Sequence, residues 1–223
     1  MALISPKKLR NDLYSYSYEE DSNTPLVISV LASLMERTLA RNERISNGFE
    51  SRTRFLLMSS KEARVFDCNE TPDMSIQSYL ERIFRYTRAG PSVYVVAYAY
   101  IDRFCQFYPE FRIGTRNVHR LLITTILVAS KYVEDMNHRN SYFARVGGLR
   151  TYEINSLEFE FLFMMKFKLH VNLRVFESYC SHLEREVSIG GGYQVERTLR
   201  CAQEIKATQT RQQTRYTNDQ ILL

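Results

Sequence analysis

The stretch from Asn117 to Met136 limits what this chain can fold into more than any other. Val118, Leu121, Leu122, Thr125, Ile126, Ala129 and Val133 recur at the i, i+3, i+4 spacing of one helical face, while Ile123, Leu127 and Val128 fill the other sides. A helix that is apolar nearly all round has to be wrapped by others. The spacing therefore predicts a central buried helix with the rest of the chain packed around it. The segment just before it, Val93 to Phe107, places Val93, Val96, Ala97, Tyr100 and Phe104 on one stripe and reads as an amphipathic helix.

The remaining elements follow from caps and breakers. Thr24-Pro25 opens a helix whose stripe is Val27, Val30, Leu31, Leu34 and Thr38, with Thr24 as N-cap and Pro25 at the first helical position. It is expected to end near Arg41–Asn42, where basic groups suit the negative end of the dipole. Ser75 caps a helix from Ile76 to about Arg88, stopped by Gly90-Pro91. Asn137–Arg150 is polar and ends in Gly147-Gly148, which reads as a flexible loop. Thr151 caps a helix from Tyr152 to about Lys166, and Asn172 caps the next, with Val175, Phe176, Tyr179, Cys180 and Leu183 inward. Five consecutive helices thus lie between Ile76 and Val187, and the fold class is all-α. Residues 1–23 read as a mobile arm, 24–71 as an N-terminal helix with a connection, 72–188 as the five-helix unit, and 189–223 as a mostly flexible tail.

Composition enters as a set of exclusions. With 223 residues, 44% of them hydrophobic, one domain plus tails can bury a core without staples. The apolar runs are too short and too interrupted to span a membrane, and Met1 to Asp12 lacks the apolar centre of a secretion signal. Cys68, Cys105, Cys180 and Cys201 show no C-x-x-C pairing and read as reduced structural thiols. His119, His138, His170 and His182 are isolated and there is no Gly-rich phosphate loop, so neither catalysis nor a cofactor or metal is expected. The net charge of +5 permits acidic partners. A nucleic-acid module would want a basic stripe, whereas Arg82, Arg103, Arg120, Arg145 and Arg174 look dispersed, which makes a nucleic-acid partner the weaker reading.

Three charged features ask for an explanation. Lys131 sits on the otherwise apolar central helix, and Glu158 shares a face with Ile154, Leu157, Phe161, Leu162 and Met165. A carboxylate in an apolar stripe must be paired, hydrogen-bonded or at an interface. An internal Lys131–Glu158 ion pair and a pair of groups reaching a partner's backbone both satisfy that requirement. Asp102, in mid-helix, is expected to bridge to a cation of the preceding helix, Arg82 or Arg85, or to sit on the surface beside Arg103. Ser5-Pro6-Lys7-Lys8 has the form preferred by proline-directed kinases, which makes Ser5 a candidate phosphorylation site. The plainer reading of those residues is a flexible basic tail, and a weak nuclear-entry or DNA-contact signal is a further one.

Tyr100-Ile101-Asp102-Arg103-Phe104, then Leu127-Val128-Ala129-Ser130-Lys131-Tyr132-Val133-Glu134-Asp135, then Leu157-Glu158 with Phe161-Leu162, resemble the cyclin box in wording and in spacing. Ser75 through Ile83, Tyr94-Val95-Val96-Ala97-Tyr98, Val146-Gly147-Gly148-Leu149 and Thr24-Pro25-Leu26-Val27 are similar to the small plant P-type cyclins, also called U-type, which are related to fungal phosphate-signalling cyclins. The resemblance covers roughly residues 24–187. It implies five helices around a buried third, and a non-catalytic regulatory subunit that binds a cyclin-dependent kinase, the plant A-type kinase being the expected partner. In that family a lysine ending the third helix and a glutamate in the fourth grip the kinase's regulatory helix; here they are Lys131 and Glu158. Tyr132, Phe159 and Phe163 are the secondary contact candidates. With neither a membrane span nor an export signal expected, the chain reads as soluble and intracellular, in the nucleus, the cytoplasm or both.

The chain also departs from other cyclins. No room for a second helical box is expected after Leu183. Ile76-Gln77-Ser78-Tyr79-Leu80 stands where mitotic cyclins carry a Met-Arg-x-x-Leu docking core, and no destruction box is evident. The rival readings are a cyclin-fold nucleic-acid or transcription-factor-binding module, and a scaffold that holds a kinase without activating it.

Overall fold

In the computed structural model every residue from Val118 to Ser130 except Arg120 is buried, so the central helix is wrapped as its composition requires. The model describes residues 5–16, 24–46 and 63–188. Among them the order is α1 Pro6–Ser15, α2 Leu26–Ser46, a 3-10 turn Ala63–Phe66, α3 Ile76–Thr87, α4 Pro91–Phe107, α5 Val118–Val133, α6 Asn140–Gly147, α7 Thr151–Met164 and α8 Leu173–Glu186. No strand occurs among the described residues. One hydrophobic cluster runs from Leu9 of α1 to Val187 beyond α8. The central helix, α5, packs most extensively on α4 and also touches α3, α6, α7 and the 3-10 turn. Its buried hydroxyls cost little because Thr124 donates to the Arg120 carbonyl at 2.7 Å and Thr125 to Leu121 at 2.9 Å.

Several caps stand where the sequence places them. Ser75 Oγ accepts the N–H of Ser78 at 3.1 Å, and Asn172 Oδ1 that of Val175 at 2.9 Å. At α7 the N-cap is Arg150 and not Thr151; Glu153 reaches back to the Arg150 N–H at 2.9 Å. That contact is half of a capping box.

The expected arm is partly helix. Ser5 Oγ accepts the Lys8 N–H at 3.2 Å and starts α1. Leu9 and Leu13, one helical turn apart, are buried, and Arg10 binds Glu184 of α8 through two bonds of 2.9 Å. Asp12 is 5% exposed, and its Oδ2 accepts the Leu26 N–H at 2.7 Å. A carboxylate from α1 therefore satisfies the first amide of α2. Tyr14, Tyr16 and Tyr18 alternate with serines in the sequence and mask the helical period, so only Leu9 and Leu13 signal this helix. The tyrosine at position 18, and the tail beyond 188, lie outside the described residues.

Two further expectations are corrected. The helix α2 continues to Ser46, past Arg41–Asn42, because Asn42 is buried and donates to the Ile113 carbonyl at 2.9 Å. Residues 47–62 of the connection lie outside the described residues, but Phe66 is fully buried with its ring 5.5 Å from that of Phe104. The segment read as a flexible loop contains α6, so six helices and not five lie between Ile76 and Val187. Phe143, Ala144 and Val146 are buried, and Gly148 closes the helix with φ 71°, the left-handed cap that favours glycine. Gly147 answers a different need. A Cβ there would stand 3.0 Å from Ile123 Cγ1 and 3.2 Å from the Tyr79 hydroxyl, so the glycine allows α6 to lie close on α5 and α3.

Candidate functional site

Helix α5 emerges from the core at its last turn, where Lys131, Tyr132 and Val133 are exposed. Lys131 Nζ donates to both carboxylate oxygens of Glu158, at 2.6 and 2.8 Å. The Lys131 side chain is 36% exposed and that of Glu158 15%. The pair is therefore internal and at the surface at once. Asn140 Nδ2, the first residue of α6, donates to Glu158 Oε2 at 2.6 Å, so three helices converge on one carboxylate. An ammonium carries three donors and a carboxylate about four acceptor sites. After these contacts each group retains capacity for a partner's backbone.

An aromatic row borders this pair. Phe159 and Phe163 are 58% and 53% exposed, with ring centroids 4.4 Å apart. Phe167 continues the row, 59% exposed and 5.2 Å from Phe163. The sequence reading missed Phe167, although its i, i+4, i+8 spacing with Phe159 and Phe163 was available. It stands beyond the end of α7, where Lys166 and Phe167 take φ of 51° and 55°. Such left-handed residues other than glycine cost about 1–3 kcal/mol each and persist only where the surroundings impose them. Tyr132 lies 42% exposed; its hydroxyl meets His170 Nδ1 and the Val171 N–H, both at 3.3 Å.

The clamp on that loop comes from α4. The Tyr100 hydroxyl donates to the Leu169 carbonyl at 3.0 Å, and Tyr108 to Met164 at 3.1 Å. Arg103 binds the carbonyls of Lys168 and His170. Burial pushes the Tyr100 phenol well above its ordinary range, so it stays a donor. The expected Asp102–Arg82 bridge is absent. Asp102 Oδ2 accepts from the Tyr179 hydroxyl of α8 at 2.7 Å and from Gln106 at 2.9 Å, whereas Arg82 is exposed on α3. Asp102 and Arg103 are thus neither a surface pair nor a bridge to α3. One holds α8 and the other holds the loop that carries Phe167.

Outside this face the chemistry is sparse. Cys68, Cys105 and Cys180 are free, and burial pushes the thiols of Cys105 and Cys180 up to about 11; Cys201 lies outside the described residues. No helix among the described residues is long and apolar enough to cross a membrane.

A buried central helix wrapped by other helices is the arrangement expected of a cyclin box. The cyclin family model matches residues 25–169, well over half of the chain, and the chain belongs to the cyclin family. Its place is among the plant P-type, or U-type, cyclins. It is 72% identical to Cyclin-U2-1 of Arabidopsis thaliana, over 92% of this chain and 90% of the relative. With Cyclin-U2-2 of the same plant the identity is 70%, over 92% and 88%. With Cyclin-P2-1 of Oryza sativa subsp. japonica it is 50%, over 92% and 96%. The matched span begins at the start of α2, a helix buried along nearly all of its first ten residues.

Proposed function

We propose that this chain is a regulatory subunit that binds a cyclin-dependent serine/threonine kinase, in plants the A-type kinase, and favours its active conformation. The output would be cell-cycle or nutrient-linked control of division, in the nucleus or the cytoplasm. The observation that carries the reading is the Lys131–Glu158 pair, held at the surface by three helices and flanked by exposed aromatic rings. Exposed ion pairs add only about 0–1 kcal/mol to folding, whereas truncating a charge that is hydrogen-bonded and desolvated at an interface costs about 2–5 kcal/mol of binding. Such a pair therefore matters far more to a complex than to the free chain. Tyr132, Phe159, Phe163 and Phe167 supply the apolar area around it, since aromatic anchors dominate interface energetics.

Activation on this reading is a population shift. A kinase samples inactive and active positions of its regulatory helix, and a subunit that binds one of them better raises that population. Adding the purified chain to the monomeric kinase tests this directly. Histone phosphorylation should rise with added chain and saturate. A complex that forms with no gain in phosphorylation would leave the scaffold reading in place of the activator. Ser5 is proposed as a phosphorylation site; its hydroxyl caps α1, and a phosphate there would lie at the positive end of a helix beside Lys7 and Lys8.

A further inference from the structure

Arginines that look dispersed in the sequence are gathered by the packing of α3 against α6. Three contacts fix the two helices as antiparallel neighbours. The Tyr79 hydroxyl donates to the Gly147 carbonyl at 3.3 Å, Tyr142 to Tyr86 at 2.7 Å, and the His138 ring meets the Thr87 carbonyl at 3.2 Å. That register sets Arg82 of α3 opposite Arg145 of α6. Arg88, next after Thr87, and Arg139, next after His138, flank the His138–Thr87 contact. Arg85 lies between Arg82 and Arg88, on the face of α3 that carries no buried residue. All five arginines are exposed.

None of the five forms an ion pair among the described residues. Arg145 lies over the Tyr142 ring at 5.6 Å, which leaves its N–H donors free to turn outward. Two of the carboxylates nearby in sequence are engaged elsewhere, while Asp135 is exposed. Glu81 is buried and accepts from Gln77 at 2.9 Å, and Glu134 accepts from the Gly90 N–H and from Ser130. Tyr86, 53% exposed, stands in the middle of the patch as a flat amphipathic surface. Arginine and tyrosine together are the composition of a protein-binding surface. Like charges brought this close repel unless an anion joins them.

We propose that the α3–α6 edge is a docking surface for a run of aspartates and glutamates in a substrate of the bound kinase. The choice of substrate rests on the kinase-subunit reading above; the binding of an acidic segment does not. Size favours a peptide over a nucleic acid. From Arg82 to Arg88 the helix rises about 9 Å, room for three or four extended residues, whereas specific nucleic-acid interfaces bury about 1,000 Å² or more. Guanidinium forks match carboxylates two bonds at a time. The patch also adjoins the kinase-facing pair, since Arg139 precedes Asn140, which holds Glu158. A substrate seated here would be kept beside the kinase between turnovers.

The test uses the full chain alone and a fluorescein-labelled twelve-residue peptide with six consecutive Asp/Glu residues, read by anisotropy. A control peptide carries Asn/Gln in their place, and a labelled DNA duplex of equal charge forms the third arm. The acidic peptide should bind, weaken with added salt, and lose affinity at least about tenfold in Arg82→Glu/Arg145→Glu. The neutral peptide should not bind. Equal binding by the variant, binding of neither peptide, or tighter binding of the duplex would each overturn the proposal, the last in favour of a nucleic-acid surface. Kinase capture by the same variant separates the two readings. Retained capture with lost peptide binding supports a distinct docking edge, and lost capture in a variant with wild-type circular dichroism shows the edge to be part of the kinase interface.

Discussion

At the scale of single residues, small departures from free space decide large effects. A methyl group at Gly147 would press on Ile123, itself fully buried, at 3.0 Å and on the Tyr79 hydroxyl at 3.2 Å. Gly147→Ala is therefore expected to destabilise the fold by about 1–3 kcal/mol, read as a lower midpoint in thermal unfolding. An unchanged midpoint would mean that α6 can shift off α5. His119 is a second case. It is 9% exposed, its Nε2 lies 2.9 Å from the Met74 carbonyl, and burial lowers its pKa. The unfolded imidazole takes up a proton near its ordinary value of about 6.5, while the folded one resists until lower pH. Between those values the unfolded state binds more protons, so stability falls as pH falls through and below that value. Unfolding midpoints between pH 7 and pH 5 should drop less in His119→Gln than in the wild type. Parallel slopes would place the acid sensitivity elsewhere. Glu158 and Lys131 were legible as residues needing partners, since each charge interrupts an apolar pattern. The partner of Asp102 was not, because Tyr179 is 77 residues away and spacing reports only neighbours along one helix.

At the scale of elements, caps and long apolar stripes were readable and short or hybrid helices were not. α3, α4, α5, α7 and α8 stand close to where period and caps put them, because each buries a stripe of its own. α6 has only eight residues, too few to show a long stripe, and packs through Phe143, Ala144 and Val146 together with the close approach at Gly147. α1 is held by polar groups as much as by Leu9 and Leu13. Its Asp12 caps α2, and its Arg10 grips α8. Asp12→Ala would leave the Leu26 N–H buried without an acceptor, at a cost of about 1–2 kcal/mol. Amide exchange in residues 6–15 should accelerate while α5 stays protected. Acceleration spread evenly over all the helices would instead show that α1 opens only with the whole domain.

At the scale of the whole molecule, α4 links the core to the surface. Its apolar face packs on α5, while Tyr100 and Arg103 fix the loop after α7 and Asp102 fixes α8. The aromatic row and the Lys131–Glu158 pair are thereby set on rigid elements, as a site that must meet another protein in one geometry requires. The sequence showed the charged pair through its clash with the apolar pattern, and the use proposed for it came from the family resemblance. Phe167 continues the i, i+4, i+8 spacing of Phe159 and Phe163 but escaped because it lies past the helix end, where two left-handed residues and not the helix display it. The measurement that bears most directly on the central claim is the affinity of the purified chain for the A-type kinase, compared among wild type, Lys131→Ala and Glu158→Ala, with circular dichroism on each. Both variants should keep the wild-type spectrum and lose about 2–5 kcal/mol of binding, roughly thirty-fold or more. Wild-type affinity in both folded variants would make the pair a structural contact alone and place the kinase interface elsewhere.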